Sequence, residues 1–279
     1  MRDAVADILS FLTGHFGEDF TSYSHTLAEK RIAERTAQLR LAGIADYSGF
    51  LHADPAEPPF LARMLRIRFS SFFRDPLQFE LLGSVVIPSM LLNRSPIGHF
   101  RVWSAACASG EEACSLAIII DEAMQVLESE TRVQIFATDI AEDALEDARI
   151  GRYLPGSLGG VTLQRLDNYF TFKKPSYQIV DKIRQMVTYS RHDLLDTHTY
   201  APPESLFGGF DLISCRNFLM YLDPEAYCRV LDNLFRALNP DGVLLLGKAE
   251  SVPERYAPYL VHVFDYGNLY RKKPAQRRS

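Results

Sequence analysis

A chain of 279 residues with 47% hydrophobic side chains can bury the core of one large α/β domain and a smaller one beside it. A net charge of −5 excludes a globally basic surface for nucleic acid, and no apolar run reaches membrane-spanning length. Cys107, Cys114, Cys215 and Cys228 lack zinc-type spacing and read as reduced thiols, and the opening residues lack the apolar stretch of a signal peptide. A soluble, cytoplasmic protein without a metal centre is expected.

In chain order, helices are expected over 4–14, over 24–42 with Gly43 as the stop, and over 47–52, ahead of the Pro-rich stretch 54–59. The segment 61–74 then carries Arg63, Arg66, Arg68 and Arg74 around Phe69, Phe72 and Phe73, and a further helix covers 77–92. From Phe100 onward strands and helices alternate: strand 100–103, helix 111–127, strand 133–138, helix 142–150. A Gly/Pro-rich loop over 151–160 precedes an irregular region to 191, with short strands at 178–180 and 186–190. Strand 210–215, helix 224–238, a turn at 239–242, strand 243–247 and a hairpin of 261–264 with 269–271 complete the pattern. This order predicts a mostly parallel sheet covered by helices, with an antiparallel end. The expected domains are 1–75, helical, and 76–279.

Ligands of such a sheet bind at the carboxyl ends of its strands. Four peptides fall there: 106–112, Thr138-Asp139, 192–194 and 215–221. The first follows a buried strand with small residues and then opens a helix on Glu111 and Glu112, so backbone amides are offered at close approach. Asp139, ending the next strand, suits ribose hydroxyls. The loop lacks G-x-G-x-x-G, no P-loop is present, and two glutamates at the helix start repel phosphate. A cationic nucleoside fits better, with S-adenosylmethionine (SAM) the leading candidate. An ordinary βα loop in a doubly wound core is the alternative.

The motifs SFFRDP (71–76), VWSAACASGEE (102–112), FATD (136–139), ARIGRY (148–153), DLISCRNFLMYLD (211–223) and LLGKAES (245–251) occur in that order. Together they resemble the CheR family, methyltransferases that esterify glutamates on bacterial chemotaxis receptors. The resemblance implies a Rossmann-like SAM-dependent methyltransferase sheet behind an all-α N-terminal domain, with a small β-subdomain insert at about 160–190 and S-adenosylhomocysteine as product. It places Arg74 in the active site beside the cofactor and Tyr221 near the sulfonium and the incoming carboxylate. Glu112 would meet the amino end of SAM, Asp139 the ribose, Asp193 and Leu194 the adenine, and Arg216 and Asn217 the cofactor. Arg68 and Ser70 would lie beside the cofactor, where relatives often carry Asn and Thr; facing the sulfonium, Arg68 would oppose SAM, and turned outward it would meet an acidic substrate. Ala108-Ser109 replaces the more usual Ser-Thr, and Asp193 stands where some relatives have Asn.

The implied partner is a chemoreceptor's cytoplasmic domain. Arg31 and Arg35 share a helix face and, with Lys30 and Arg40, are candidates for gripping its acidic helices. A solvated helix laced by Arg31–Glu34 pairs is the alternative. Some members hold a receptor's C-terminal pentapeptide with a Gly-containing loop in the β-subdomain; 170–177 here has no Gly and looks shortened, so independence from that tether is expected. Two rival functions remain: a non-catalytic SAM-binding scaffold or sensor, and a methyltransferase for another carboxylate.

Overall fold

In the N-terminal helix the apolar residues recur at Val5, Ile8, Leu9 and Leu12, the spacing that lines one helical face, and all four are buried. In the computed structural model, which describes residues 2–66, 70–93, 98–205 and 209–274, that helix is α1 (Arg2–Phe16). It shares a core with Ala28 and Ile32 of α2 (His25–Gln38), Tyr47 and Leu51 of α3 (Ile44–Ala53), and Leu61 and Leu65 of α4 (Glu57–Leu65). The Pro-rich stretch does not break the chain, as α4 begins within it. Proline fits the first helical turn, where its missing N–H leaves no bond unmade.

These helices form one compact unit, Met1–Ile67, together with the distant segment Phe218–Asp232. The segment is bonded in by the Ser24 N–H to the Tyr221 carbonyl (2.7 Å) and the Asp223 N–H to the Ser22 carbonyl (2.9 Å). At its polar centre Glu57, 2% exposed, accepts two bonds from Arg35 at 2.7 Å and one from the Tyr47 hydroxyl at 2.8 Å. Burial raises the Tyr47 phenol above its ordinary pKa, so it stays a donor.

The second unit, Arg68–Asn217 with Asn233–Ser279, is built on a seven-stranded sheet. It opens with α5 (Pro76–Leu81) and α6 (Ile87–Leu92), joined by a π-helical turn over Leu82–Val86. Then follow β1 (His99–Ala105), α7 (Glu111–Val126), β2 (Arg132–Asp139) and α8 (Glu142–Ile150). The loop expected at 151–160 contains β3 (Arg152–Tyr153) and a 3-10 turn, Pro155–Leu158. The irregular region resolves into α9 (Leu163–Tyr169), β4 (Phe170–Lys173), β5 (Ser176–Ile179), α10 (Asp181–Arg184) and β6 (Val187–Arg191). The chain closes with β7 (Phe210–Cys215), α11 (Pro224–Ala237), β8 (Leu238–Leu246), β9 (Leu260–His262) and β10 (Leu269–Lys272). The turn expected at 239–242 lies inside the bounds of β8.

The strand order is β6-β2-β1-β7-β8-β10-β9, with the first five strands parallel and the last two pairings antiparallel. β7 is buried at every position, as a central parallel strand covered on both faces must be. Most of α7 is buried as well, from Ala113 to Ile120. A separate antiparallel sheet, β3-β5-β4, forms within 152–179. Among the described residues no helix is long and apolar enough to cross a membrane, and no cluster of three or more His, Cys, Asp or Glu suits a metal ion. The four cysteines are free.

Candidate active site

Because β1 sits between β2 and β7, the loops leaving their carboxyl ends converge. The β1 loop turns sharply, with φ of 57° at Ala106, 47° at Ala108 and 88° at Gly110. Left-handed backbone is disfavoured for bulky side chains, which explains the run of small residues. Asp139 braces this loop: one carboxylate oxygen accepts the Ala108 N–H at 2.8 Å and the other the Ala141 N–H at 3.0 Å. A carboxylate accepts at about four positions, so bracing and hydroxyl binding are compatible.

Glu112 lies in the first turn of α7, where the helix dipole favours a carboxylate. Its Oε1 accepts from the hydroxyls of Ser104 (3.1 Å) and Ser214 (2.7 Å), which face each other across the β1–β7 register. Its Oε2 accepts from Arg216 at 3.3 Å. The Arg216 side chain is only 1% exposed and turns inward. One of its terminal nitrogens donates to the Arg74 carbonyl (2.6 Å), Asp75 (2.7 Å) and the Gln78 side chain (3.0 Å), while its Nε is buried without a partner among the described residues. Arg216 therefore ties the segment holding Arg74 to the ends of β7 and α7.

Asn217 follows with φ of 58°, and its N–H donates to the Glu250 carboxylate at 3.0 Å. The same oxygen accepts the Gly247 N–H at 2.7 Å, and Glu250 is 2% exposed. A Cβ on Gly247 would stand 2.7 Å from that oxygen and 2.8 Å from the Asn217 nitrogen, so glycine is required there.

Asp193, half-buried, accepts the Leu195 N–H at 2.9 Å, and Leu194 beside it is buried. The peptide is joined to the Asp139 loop by the His192 N–H on the Asp139 carbonyl at 3.1 Å. Burial lowers the pKa of His192, whose ring lies 5.7 Å from that of Trp103. Arg74 and Ser70 are half-buried, and Arg68 lies outside the described residues. The structure thus joins Arg74, Glu112 and Arg216 in one bonded network, with Asn217 next in the chain and bonded to Glu250, and it ties the peptide of Asp193 and Leu194 to Asp139 through the His192 amide.

Tyr221, Arg31 and Arg35 belong to the helical unit. Arg31 pairs with Glu34 at 3.0 Å on the surface. Arg35 departs from the docking expectation: its guanidinium forks onto buried Glu57 and stacks 3.9 Å over Phe60, so it is engaged inside the unit. Sequence reasoning also passed over Ser104, Ser214, Asp75, Gln78 and Glu250. Asp75, Ser104, Ser214 and Glu250 lie inside the motifs SFFRDP, VWSAACASGEE, DLISCRNFLMYLD and LLGKAES, whereas Gln78 lies outside all of them.

The donor set suits SAM: carboxylates for an ammonium and for ribose hydroxyls, and small residues for close approach. The mostly parallel sheet with helices on its faces and an antiparallel end, together with this acidic crevice, has the class of a Rossmann-like SAM-dependent methyltransferase. The chain belongs to the CheR family, whose signature, described as "CheR methyltransferase, SAM binding domain", matches residues 68–262. It is 31% identical over 252 residues to the "Chemotaxis protein methyltransferase" of Listeria innocua, covering 90% of this chain and 91% of that protein. It is 34% identical over 206 residues to "Chemotaxis protein methyltransferase 1" of Pseudomonas aeruginosa, covering 72% of this chain and 73% of that protein. A Rhodobacter capsulatus "Uncharacterized 104.1 kDa protein in hypE 3'region" is 32% identical over 250 residues, covering 90% of this chain and 26% of that protein.

Proposed function

We propose that this methyltransferase esterifies glutamate side chains on the cytoplasmic helices of a chemoreceptor, releasing S-adenosylhomocysteine. The observation that carries the reading is Arg74: its carbonyl is bonded to Arg216, which also reaches Glu112, so the motif arginine and the cofactor-side carboxylate belong to one network. SAM supplies an activated methyl group. A glutamate carboxylate is already ionised near neutral pH and needs no general base. The chain's task is then to orient and to exclude water. The Arg74 guanidinium suits a carboxylate acceptor, which it can bind through a two-bond fork. Tyr221 is proposed to complete the pocket on the strength of its place in the CRNFLMYL motif.

Arg31, 35% exposed, is the proposed docking cation for the acidic receptor helix. Independence from a C-terminal pentapeptide is proposed because β4 and β5 are joined by Lys174-Pro175 alone, without a glycine loop. Clear micromolar binding of the isolated pentapeptide would overturn that part. The main test is transfer of labelled methyl from SAM to a receptor cytoplasmic fragment. Alkali-labile label, lost when the receptor glutamates are changed to alanine, supports the reading. Alkali-stable label, or none, overturns it.

A further inference from the structure

The chain between α8 and β5 receives both aromatic side chains that precede Arg74. Phe72 is 1% exposed, and its ring meets Tyr153 of β3 edge-on at 4.7 Å and Phe170 of β4 at 5.2 Å. Its N–H donates to the Ser157 carbonyl at 3.0 Å. A Cβ on Gly160 would stand 2.3 Å from the Phe72 carbonyl oxygen, so this approach requires glycine.

Phe73 has φ of 51°, a conformation that bulky side chains avoid unless their surroundings impose it. Three contacts impose it here. Its N–H donates to the Ser115 hydroxyl at 3.0 Å, its ring meets Phe79 edge-on at 5.5 Å, and the Arg165 guanidinium lies 4.3 Å from its ring centre. Arg165, on α9, is itself fixed by a fork onto Glu122 of α7, at 2.9 and 2.7 Å. The far end of α9 is pinned by the Tyr169 hydroxyl on Asp121 at 3.1 Å.

We infer that the insert is a clamp that sets the backbone, and so the guanidinium direction, of Arg74, with Arg165 and Gly160 as positioning residues. This rests on the role proposed for Arg74. A residue in left-handed backbone relaxes once its restraints go, and relaxation at Phe73 rotates the next residue along the chain. The cation over the ring and the glycine under the carbonyl act from two sides, so each is a separate handle on one element.

The test compares the full chain with Arg165→Met, Arg165→Lys and Gly160→Ala. Arg165→Met and Gly160→Ala should each lower kcat for receptor methylation by about tenfold to a hundredfold, the scale of a misplaced reactive group. KM for SAM and affinity for S-adenosylhomocysteine should stay within about twofold. Hydrogen exchange should quicken at the Phe72 and Phe73 amides and not in β1 or β7. Arg165→Lys, which keeps a cation over the ring, should recover part of kcat. Unchanged kcat in both variants overturns the clamp, as does faster exchange spread through β1 and β7 with loss of product binding. If the wild-type chain fails to methylate the receptor, the proposed acceptor falls. The exchange measurement then still judges the clamp, which fails if the two amides are unaltered.

Discussion

Glu112 and Arg216 meet at 3.3 Å with the arginine almost wholly buried, so the carboxylate proposed to meet the cofactor is also the counter-charge of an internal cation. Asp75 supplies the second carboxylate, at 2.7 Å. A buried guanidinium shared between two acids tolerates the loss of neither without redistributing charge.

Glu112→Gln keeps the side chain's size and removes its charge. SAM affinity should fall by about tenfold to a hundredfold, the worth of a hydrogen bond to a charged group. Calorimetric titration with SAM and S-adenosylhomocysteine measures it. An unchanged Kd would remove Glu112 from the cofactor site and leave it a structural partner of Arg216.

Glu250→Ala strips the acceptor from the Asn217 and Gly247 amides together. Two buried amides left unpaired should cost about 2–4 kcal/mol of unfolding free energy. Glu250→Gln, which retains one carbonyl oxygen, should recover part of it. Denaturant titration decides, and a loss below about 0.5 kcal/mol would show that water replaces the carboxylate.

His192 is buried at 6% exposure, and burial holds its pKa below the ordinary 6.5. The fold therefore prefers the neutral ring, whereas the unfolded chain takes up a proton below about pH 6.5. The stability contributed is present above that pH and is lost as pH falls through the folded-state pKa. Tm should decline between pH 7 and pH 5, and His192→Phe, which keeps an aromatic against Trp103, should flatten the decline. Equal slopes in both proteins would mean that other groups set the acid response.

Arg31 and Arg35 should separate by phenotype. Arg35→Ala leaves the buried Glu57 charge uncompensated and should destabilise the protein by about 3–5 kcal/mol. Arg31→Glu gives up a surface pair and sets a like charge beside Glu34, each worth less than about 1 kcal/mol, and should lower Tm only slightly. It should raise KM for the receptor fragment, most clearly at low salt. A KM that does not move would remove Arg31 from the docking face.

The parts of the fold legible in the sequence are those where local pattern and burial agree. β7 coincides with the expected strand because its residues, Asp211 apart, are apolar or small and suit a strand covered on both faces, and α8 coincides with the expected helix, ending as it does at left-handed Gly151. The Pro-rich entry to α4 misleads because proline is a breaker everywhere except the first turn. β3 and β4 escape notice because strands of two and four residues carry too little alternation to register. At the site, acids and small residues after strands are visible as patterns. The bonds from Ser214 and Arg216 to Glu112, and from the Asn217 amide to Glu250, join residues far apart in the chain, and nothing in the letters FFR announces that the second Phe is left-handed.

The helical unit is made of two separate pieces of chain, and the second, Phe218–Asp232, contains Tyr221. Inheritance of this unit is therefore not a matter of an N-terminal cassette. An exchange between relatives that moved only residues 1–67 would leave the Ser24 amide and the Ser22 carbonyl facing a foreign sequence where Tyr221 and Asp223 had met them. Truncation near Arg66 would likewise orphan the returning segment rather than free a self-sufficient catalytic half. A chimaera that exchanges this unit must carry both pieces, so the helices proposed to dock the receptor and the tyrosine proposed to stand beside the acceptor change hands together.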